Sequence, residues 1–254
     1  MHTARSLKKD LVSAGFSGGD TVLVHSSMKA IGEVEGRAEG VLDALCDFFR
    51  DGLLVFPTLS YASVRETADP VFRPLETPAC TGILPELFRK RPGVVRSLHP
   101  LHSLAALGKD AKEFTAGHEK FSTAFDPLSP WGKLVSRKAK VLLIGVDLDS
   151  MTFFHAVEQW AGVKILSQKP LQLYVEDHAG HTLPVPVYWH TGAHSTRFHV
   201  AEKMLAEAGI LRYCRFGSAP SMVVDCCSCR DFLMEKLKKN PDLFKPGPKV
   251  RGPA

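Results

Sequence analysis

Two side chains within Met151 to Gly162 (MTFFHAVEQWAG) have the types and the spacing that proton transfer needs. His155 and Glu158 stand three residues apart, so on a helix both project from one face. The stretch follows directly on the apolar run Val141 to Val146 (VLLIGV), which reads as a buried strand ending in a short loop before the helix. An imidazole that can accept a proton, beside a carboxylate that can orient it, is an acid–base pair in outline. The same spacing also occurs on helices that do no chemistry.

Two other stretches carry reactive or ligand-binding groups. In Val24 to Gly32 (VHSSMKAIG), a second short strand, Thr21 to Val24, runs out into His25, Ser26, Ser27 and Met28. Hydroxyls and unspent backbone N–H groups at the C-terminal edge of a sheet suit carbonyl or phosphate oxygens. An ordinary helix cap explains the two serines equally well. Arg96 to Ser103 (RSLHPLHS) gathers a guanidinium, two imidazoles and two hydroxyls. The planar fork of Arg96 matches a phosphate; a surface turn with a structural arginine is the plain alternative. His99, His102, His155 and Glu158 could also assemble a zinc site, which leaves a metal-dependent hydrolase as a competing reading.

The elements that must hold these groups alternate. Helices are expected over Ser6–Ala14, Arg37–Arg50, Gly82–Lys90, 109–117, up to Val135, 151–162 and Thr196–Ala208, with a last one ending near Lys239. Strands are expected at Thr21–Val24, Leu53–Phe56, Val94–Arg96, Ser103–Leu107 and Val141–Val146, followed by a hairpin (Leu171–Val175, Leu183–Tyr188) and extended pieces at Leu211–Phe216 and Met222–Val224. Thr58 to Ala79 has no period and reads as a long loop, a length more often functional than idle. The alternation predicts an α/β fold, a single layered domain over residues 1–254 with a mixed central β-sheet flanked by helices. Residues 245–254 (KPGPKVRGPA) read as a disordered tail.

Composition excludes several functions. The chain has 254 residues, 44% hydrophobic and 23% charged, enough for a sizeable core. No apolar run approaches the roughly 18 residues of a membrane span, and the N-terminus lacks the apolar centre of a signal peptide, so a cytoplasmic location is expected. The six cysteines show no disulfide framework; Cys226, Cys227 and Cys229 fall where a helix begins, which favours packing or free thiols over a metal. The net charge of +5 is mild and scattered, unlike a nucleic-acid surface, but it suits an anionic small ligand. Gly15 to Gly19 matches G-x-S-x-G in the wrong context, with the helix before and the strand after. No dinucleotide fingerprint, Walker loop or HExxH occurs.

Taken in order, the segments GGDTVLVHSSMKAIGEVEG, GLLVFPTLSY, TPACTGILPELFRKRPGVVRSLHPLHSLAALGKDA, FDPLSPWGKLV and KVLLIGVDLDSMTFFHAVEQ resemble the aminoglycoside 3-N-acetyltransferase family. The likeness is close over residues 18–162 and looser to Phe244, through GSAPSMVVDCCSCRDFL. It implies a transferase, unrelated in fold to the GNAT acetyltransferases, that moves an acetyl group from acetyl-CoA to an amine of a small-molecule acceptor. The family's H-x-x-E falls on His155, the implied general base, and Glu158. The H-S-S falls on His25, Ser26 and Ser27, with Met28 next, implied to line the coenzyme A tunnel. The R-S-x-H-P falls on Arg96, Ser97 and His99, also implied at the cofactor. Tyr61, Asp126 and Asp147 are the implied acceptor contacts. No resident metal is implied, and a homodimer is left open. One motif departs from the family: drug-modifying members carry G-E-G-S-P-Y where Phe125–Trp131 reads FDPLSPW.

The chemistry fits these residues. An aliphatic amine is largely protonated at neutral pH and cannot attack a thioester until it loses a proton. Histidine, with an ordinary pKa near 6.5, can take it. The expectation is direct transfer in a ternary complex, with N–H groups around Ser26–Met28 facing the developing oxyanion. A coenzyme A-binding protein without turnover is the remaining alternative.

Overall fold

The run TVLVHS forms the central strand, β1 (Thr21–Ser26), because both of its faces are covered. Val22 and Val24 enter one hydrophobic cluster and Leu23 the other. The same alternation holds in β2 (Leu53–Pro57), where Leu54 and Phe56 face one side and Leu53 and Val55 the other. Strands buried on both faces read as continuous apolar runs. The computed structural model describes residues 1–65 and 69–247.

The remaining strands are β3 (Val71–Phe72), β4 (Val95–Arg96), β5 (Leu104–Gly108), β6 (Lys140–Ile144), β7 (Leu171–Glu176), β8 (Thr182–Val187), β9 (Leu211–Phe216) and β10 (Ala219–Asp225). Seven of them form one sheet in the order β4-β5-β2-β1-β6-β10-β9. The pairs β1/β2 and β1/β6 are parallel; β2/β5, β4/β5, β6/β10 and β9/β10 are antiparallel. The mixed sheet expected from the sequence is therefore present. The chain leaves β1 for β2 on one side and later places β6 on the other, so the order reverses at β1. Crevices at such reversals, beyond the C-terminal ends of parallel strands, are where open α/β sheets bind ligands.

Helices α1 (Ala4–Ser13), α2 (Met28–Ile31) and α3 (Arg37–Phe48) follow in chain order, then α4 (Tyr61–Val64), α5 (Ile83–Phe88), α6 (Ala111–Thr115), α7 (Pro130–Ser136), α8 (Phe153–Trp160), α9 (Glu202–Glu207) and α10 (Cys226–Lys239). Helices α1, α3 and α5 cover one face, contributing Leu7, Leu45 and Phe88; α7, α8 and α10 cover the other with Trp131, Phe154 and Leu233. Each large apolar side chain so buried contributes roughly 1.5–3 kcal/mol. Local signals set the ends: Thr3 and Ser6 make a capping box at α1, and the Asp225 carboxylate accepts from Ser228 N–H at α10.

Three expectations change. The segment 58–79 is not a plain loop: it carries α4 and β3, and β3 pairs with β7. The expected hairpin, β7/β8, lies outside the main sheet in a three-stranded sheet with its own cluster, including Phe72, Leu101, Val175 and Val187. The helix expected at Thr196–Ala208 begins as a tighter 3₁₀ coil, His194–Ala201, before α9. Of the expected tail, Lys245–Gly247 carry no helix or strand, and 248–254 lie outside the described residues.

Candidate active site

Strand β6 ends at Ile144, and Gly145 takes a left-handed conformation (φ +62°) in which a Cβ would collide with Ala30 of α2. That close approach brings the chain leaving β1 against the chain leaving β6. Asp147 caps the turn by accepting from Asp149 N–H, and α8 follows. Phe153, Phe154, Ala156 and Val157 are buried against the sheet, so helical phase fixes His155 and Glu158 together at the crevice. The Glu158 side chain has no solvent exposure and His155 retains 15%.

His155 Nδ1 lies 3.0 Å from Glu158 Oε2, as the i, i+3 spacing predicts. The other oxygen, Oε1, lies 2.6 Å from Nδ1 of His194. No spacing signal points to that partner, 36 residues downstream. Gly192 makes room for it: at φ +87°, a Cβ there would stand 2.9 Å from the His194 ring. An ionised carboxylate only accepts, so each Nδ1 carries its proton and His155 Nε2 keeps a lone pair.

Burial moves the two groups in opposite senses. The Glu158 carboxyl is pushed up to about 7, chiefly by desolvation, with the His194 hydrogen bond pulling the other way. The His155 imidazole is pushed down to about 4 by desolvation. Above pH 7 both effects leave a neutral imidazole beside a carboxylate, the state a general base needs.

A cavity of about 600 Å³ opens in front of the pair. His25, Ser26, Tyr61, His102, His155 and His190 are on its wall. His25 Nε2 and Ser26 Oγ have no hydrogen-bond partner among the described residues, so the chain leaving β1 supplies uncommitted polar atoms to the crevice. His25 is kept neutral by burial, which takes it down to about 4.

Several expected residues lie elsewhere. Ser27 and Met28 are not on the cavity wall, and Ser27 N–H is spent on the Ile144 carbonyl at 2.8 Å, so it is not an oxyanion donor. Arg96 is 4% exposed, and each of its three guanidinium nitrogens donates to protein acceptors. Nε donates to Thr58 Oγ1 and Ser103 Oγ, Nη1 to the Pro74 and Thr77 carbonyls, and Nη2 to the Thr58 carbonyl. Through these bonds Arg96 ties β4 to the long 58–79 segment. Ser97 Oγ accepts from Leu104 N–H and pairs with His118 Nδ1; His99 Nδ1 accepts from Leu101 and His102 N–H. Those contacts shape the turn rather than the cavity. Asp126 accepts from Leu128 N–H in a local turn off the cavity wall. Asp147 borders an adjoining groove with Glu202 and Tyr213. Among the described residues, the carboxylate on the wall of this cavity is Asp149, held by His199 N–H at 2.7 Å. Among the described residues no three His, Cys, Asp or Glu side chains converge as metal ligands, and the zinc reading loses its geometry.

A family model described as aminoglycoside 3-N-acetyltransferase matches residues 23–238. Among curated proteins, the chain is 35% identical over 176 residues to aminoglycoside N(3)-acetyltransferase VII of Streptomyces paromomycinus, covering 63% of this chain and 61% of that one. It is 36% identical over 177 residues to the SPbeta prophage-derived aminoglycoside N(3')-acetyltransferase-like protein YokD of Bacillus subtilis, covering 61% and 64%. The matches thus span under two thirds of these relatives' own lengths. Among solved structures, aminoglycoside acetyltransferase AAC(3)-Xa superposes with a TM-score of 0.82 at 29% identity, covering 93% of each chain. AAC-IIIb, solved as a binary complex with coenzyme A, gives 0.82 at 27% identity, covering 93% of this chain and 96% of that one. Motif order, sheet topology and these matches agree: the chain belongs to the aminoglycoside 3-N-acetyltransferase family.

Proposed function

We propose that the protein transfers an acetyl group from acetyl-CoA to the 3-amine of an aminoglycoside-like acceptor, in the cytoplasm, as a single acetyltransferase unit without a resident metal. The observation that carries this reading is the buried His155–Glu158–His194 array facing a cavity in a member of this family. The uncommitted His25 and Ser26 polar atoms fit the carbonyl and amide groups of a thioester and its pantetheine arm. Acceptor contacts fall to Tyr61 and Asp149 on the cavity wall, and to Asp147 in the adjoining groove.

In the reaction His155 Nε2 takes a proton from the acceptor ammonium, and the amine lone pair so freed attacks the thioester carbon. The new C–N bond forms and the C–S bond breaks; the second proton of the attacking nitrogen passes to the leaving thiolate, and His155 gives up the first to solvent. Glu158 fixes the His155 tautomer and stabilises the imidazolium while it exists, and His194 anchors the far oxygen of Glu158. No covalent acyl-enzyme is needed. The test is thiol release from acetyl-CoA over a panel of aminoglycosides and simple amines, with His155→Ala alongside. His155→Ala is expected to lower kcat by about 10²- to 10⁴-fold. Full activity in that variant, or no thiol release with any amine, would sink the proposal.

A further inference from the structure

His190 has no part in the array just described, yet it lies against its reacting member. Its ring stacks on His155 with centroids 4.4 Å apart and planes 24° apart, and Phe125 stacks on it at 4.9 Å and 24°, itself 6.2 Å from His155. Phe198 meets the His155 ring edge-on at 4.9 Å. The His155 ring is therefore packed against two rings, while Glu158 holds its edge through Nδ1. Neither nitrogen of His190 has a hydrogen-bond partner among the described residues, and both are sealed from solvent. Burying a polar ring without partners is unfavourable, so such a group calls for an explanation. Its backbone is pinned: His190 bridges to Leu166, and Thr191 N–H donates to the Ile165 carbonyl at 2.7 Å.

The geometry points to His190 as a positioning residue that works through its ring face: it sets the plane of His155 so that Nε2 meets the acceptor amine, and it supports the imidazolium that forms. An aromatic face under a desolvated cation is attractive, and stacked rings hold one another's planes. Neutrality of the ring matters, since a second cation at 4.4 Å would oppose proton uptake by His155. Burial and the facing imidazoles of His155, His102 and His194 hold His190 well below the usual histidine range, so it stays neutral.

This inference rests on His155 being the base, so His155→Ala is assayed in parallel. If that variant is active, the proposed function fails; the role of His190 is decided separately, by two further substitutions. His190→Phe keeps a ring face and removes both nitrogens; His190→Gln keeps a donor and an acceptor and removes the ring. With saturating acetyl-CoA and acceptor, His190→Phe is expected within about threefold of the parent in kcat. His190→Gln is expected to lose about 10- to 100-fold in kcat with the KM for acetyl-CoA unchanged, the scale set by misplacing a reacting group. An active Gln variant, or two equally impaired variants, would overturn the assignment. So would a loss in the Gln variant confined to KM.

Discussion

Replacing Glu158 with glutamine separates what this carboxylate does for the reaction from what it costs the fold. Glutamine has nearly the same shape, but one of its two terminal atoms is a donor. That NH₂ must face the Nδ1 of His155 or of His194, which sit at 3.0 and 2.6 Å from the two oxygens. Whichever ring it faces can no longer donate there and must carry its proton on Nε2. For His155 that removes the lone pair proposed to take the acceptor's proton; for the other orientation the negative charge opposite the proposed imidazolium is still gone. A wrong tautomer in such an array costs about 10⁴-fold in kcat, so Glu158→Gln is expected to lose about 10³- to 10⁴-fold.

Stability should move the other way. The carboxyl titrates near 7 in the folded chain against 4.5 unfolded, and a raised acid costs stability in the ionised range. Below pH 4.5 both states are protonated and there is no cost. As pH rises from 4.5 to 7 the unfolded state loses its proton first, and the folded state is penalised. Above pH 7 the full cost, about 3 kcal/mol at 1.36 kcal/mol per unit, applies. Glutamine removes that dependence. Thermal melts at pH 5 and pH 8 should show Glu158→Gln gaining on the parent at pH 8 by about 2–4 °C per kcal/mol, while thiol release is lost. A variant that keeps activity within tenfold, or that melts well below the parent at pH 8, would refute the reasoning. In the parent, kcat/KM should rise with pH through about 7 as Glu158 ionises.

Gly192→Ala, in a left-handed position with the His194 ring 2.9 Å from the new methyl, should cost about 1–3 kcal/mol in a urea titration. It should also lower kcat more than it raises either KM, since it displaces the anchor of Glu158. Arg96→Met strips donors from the buried Pro74 and Thr77 carbonyls, so about 3 kcal/mol or more of stability should go while the KM for acetyl-CoA of the folded fraction stays put. A raised KM with an unchanged melting point would restore Arg96 to the cofactor. Ser26→Ala removes a hydroxyl with no partner among the described residues and should raise the KM for acetyl-CoA about 3- to 10-fold, the worth of about one hydrogen bond, without loss of stability. Ser27→Ala, off the cavity wall, should leave that KM unchanged.

The parts of this molecule legible in the sequence are those governed by short spacings. Apolar runs give β1, β2 and β6, and the interval from His155 to Glu158 places both on one helix face because α8 has no alternative phase in which to bury its phenylalanines. Long-range pairings leave no such trace. His194 reaches Glu158 only because the chain folds back after the second sheet, and β3 is two residues long and is a strand only through pairing with β7. Arg96 is ambiguous in sequence for a physical reason: a guanidinium that suits phosphate oxygens suits a cluster of buried carbonyls equally well, and sequence does not say which surrounds it. His190 leaves no sequence signal because its nearest functional contact is a ring face, for which no motif exists.

The two margins of the seven-stranded sheet bear on how copies of this chain can meet. One margin is β4, only two residues long. The other is β9, LRYCRF, whose exposed positions include Arg212, Tyr213 and Arg215. A short margin offers too few backbone groups for another strand to read, and a margin bearing two like charges repels its own copy. Both margins thus work against self-templated extension of the sheet.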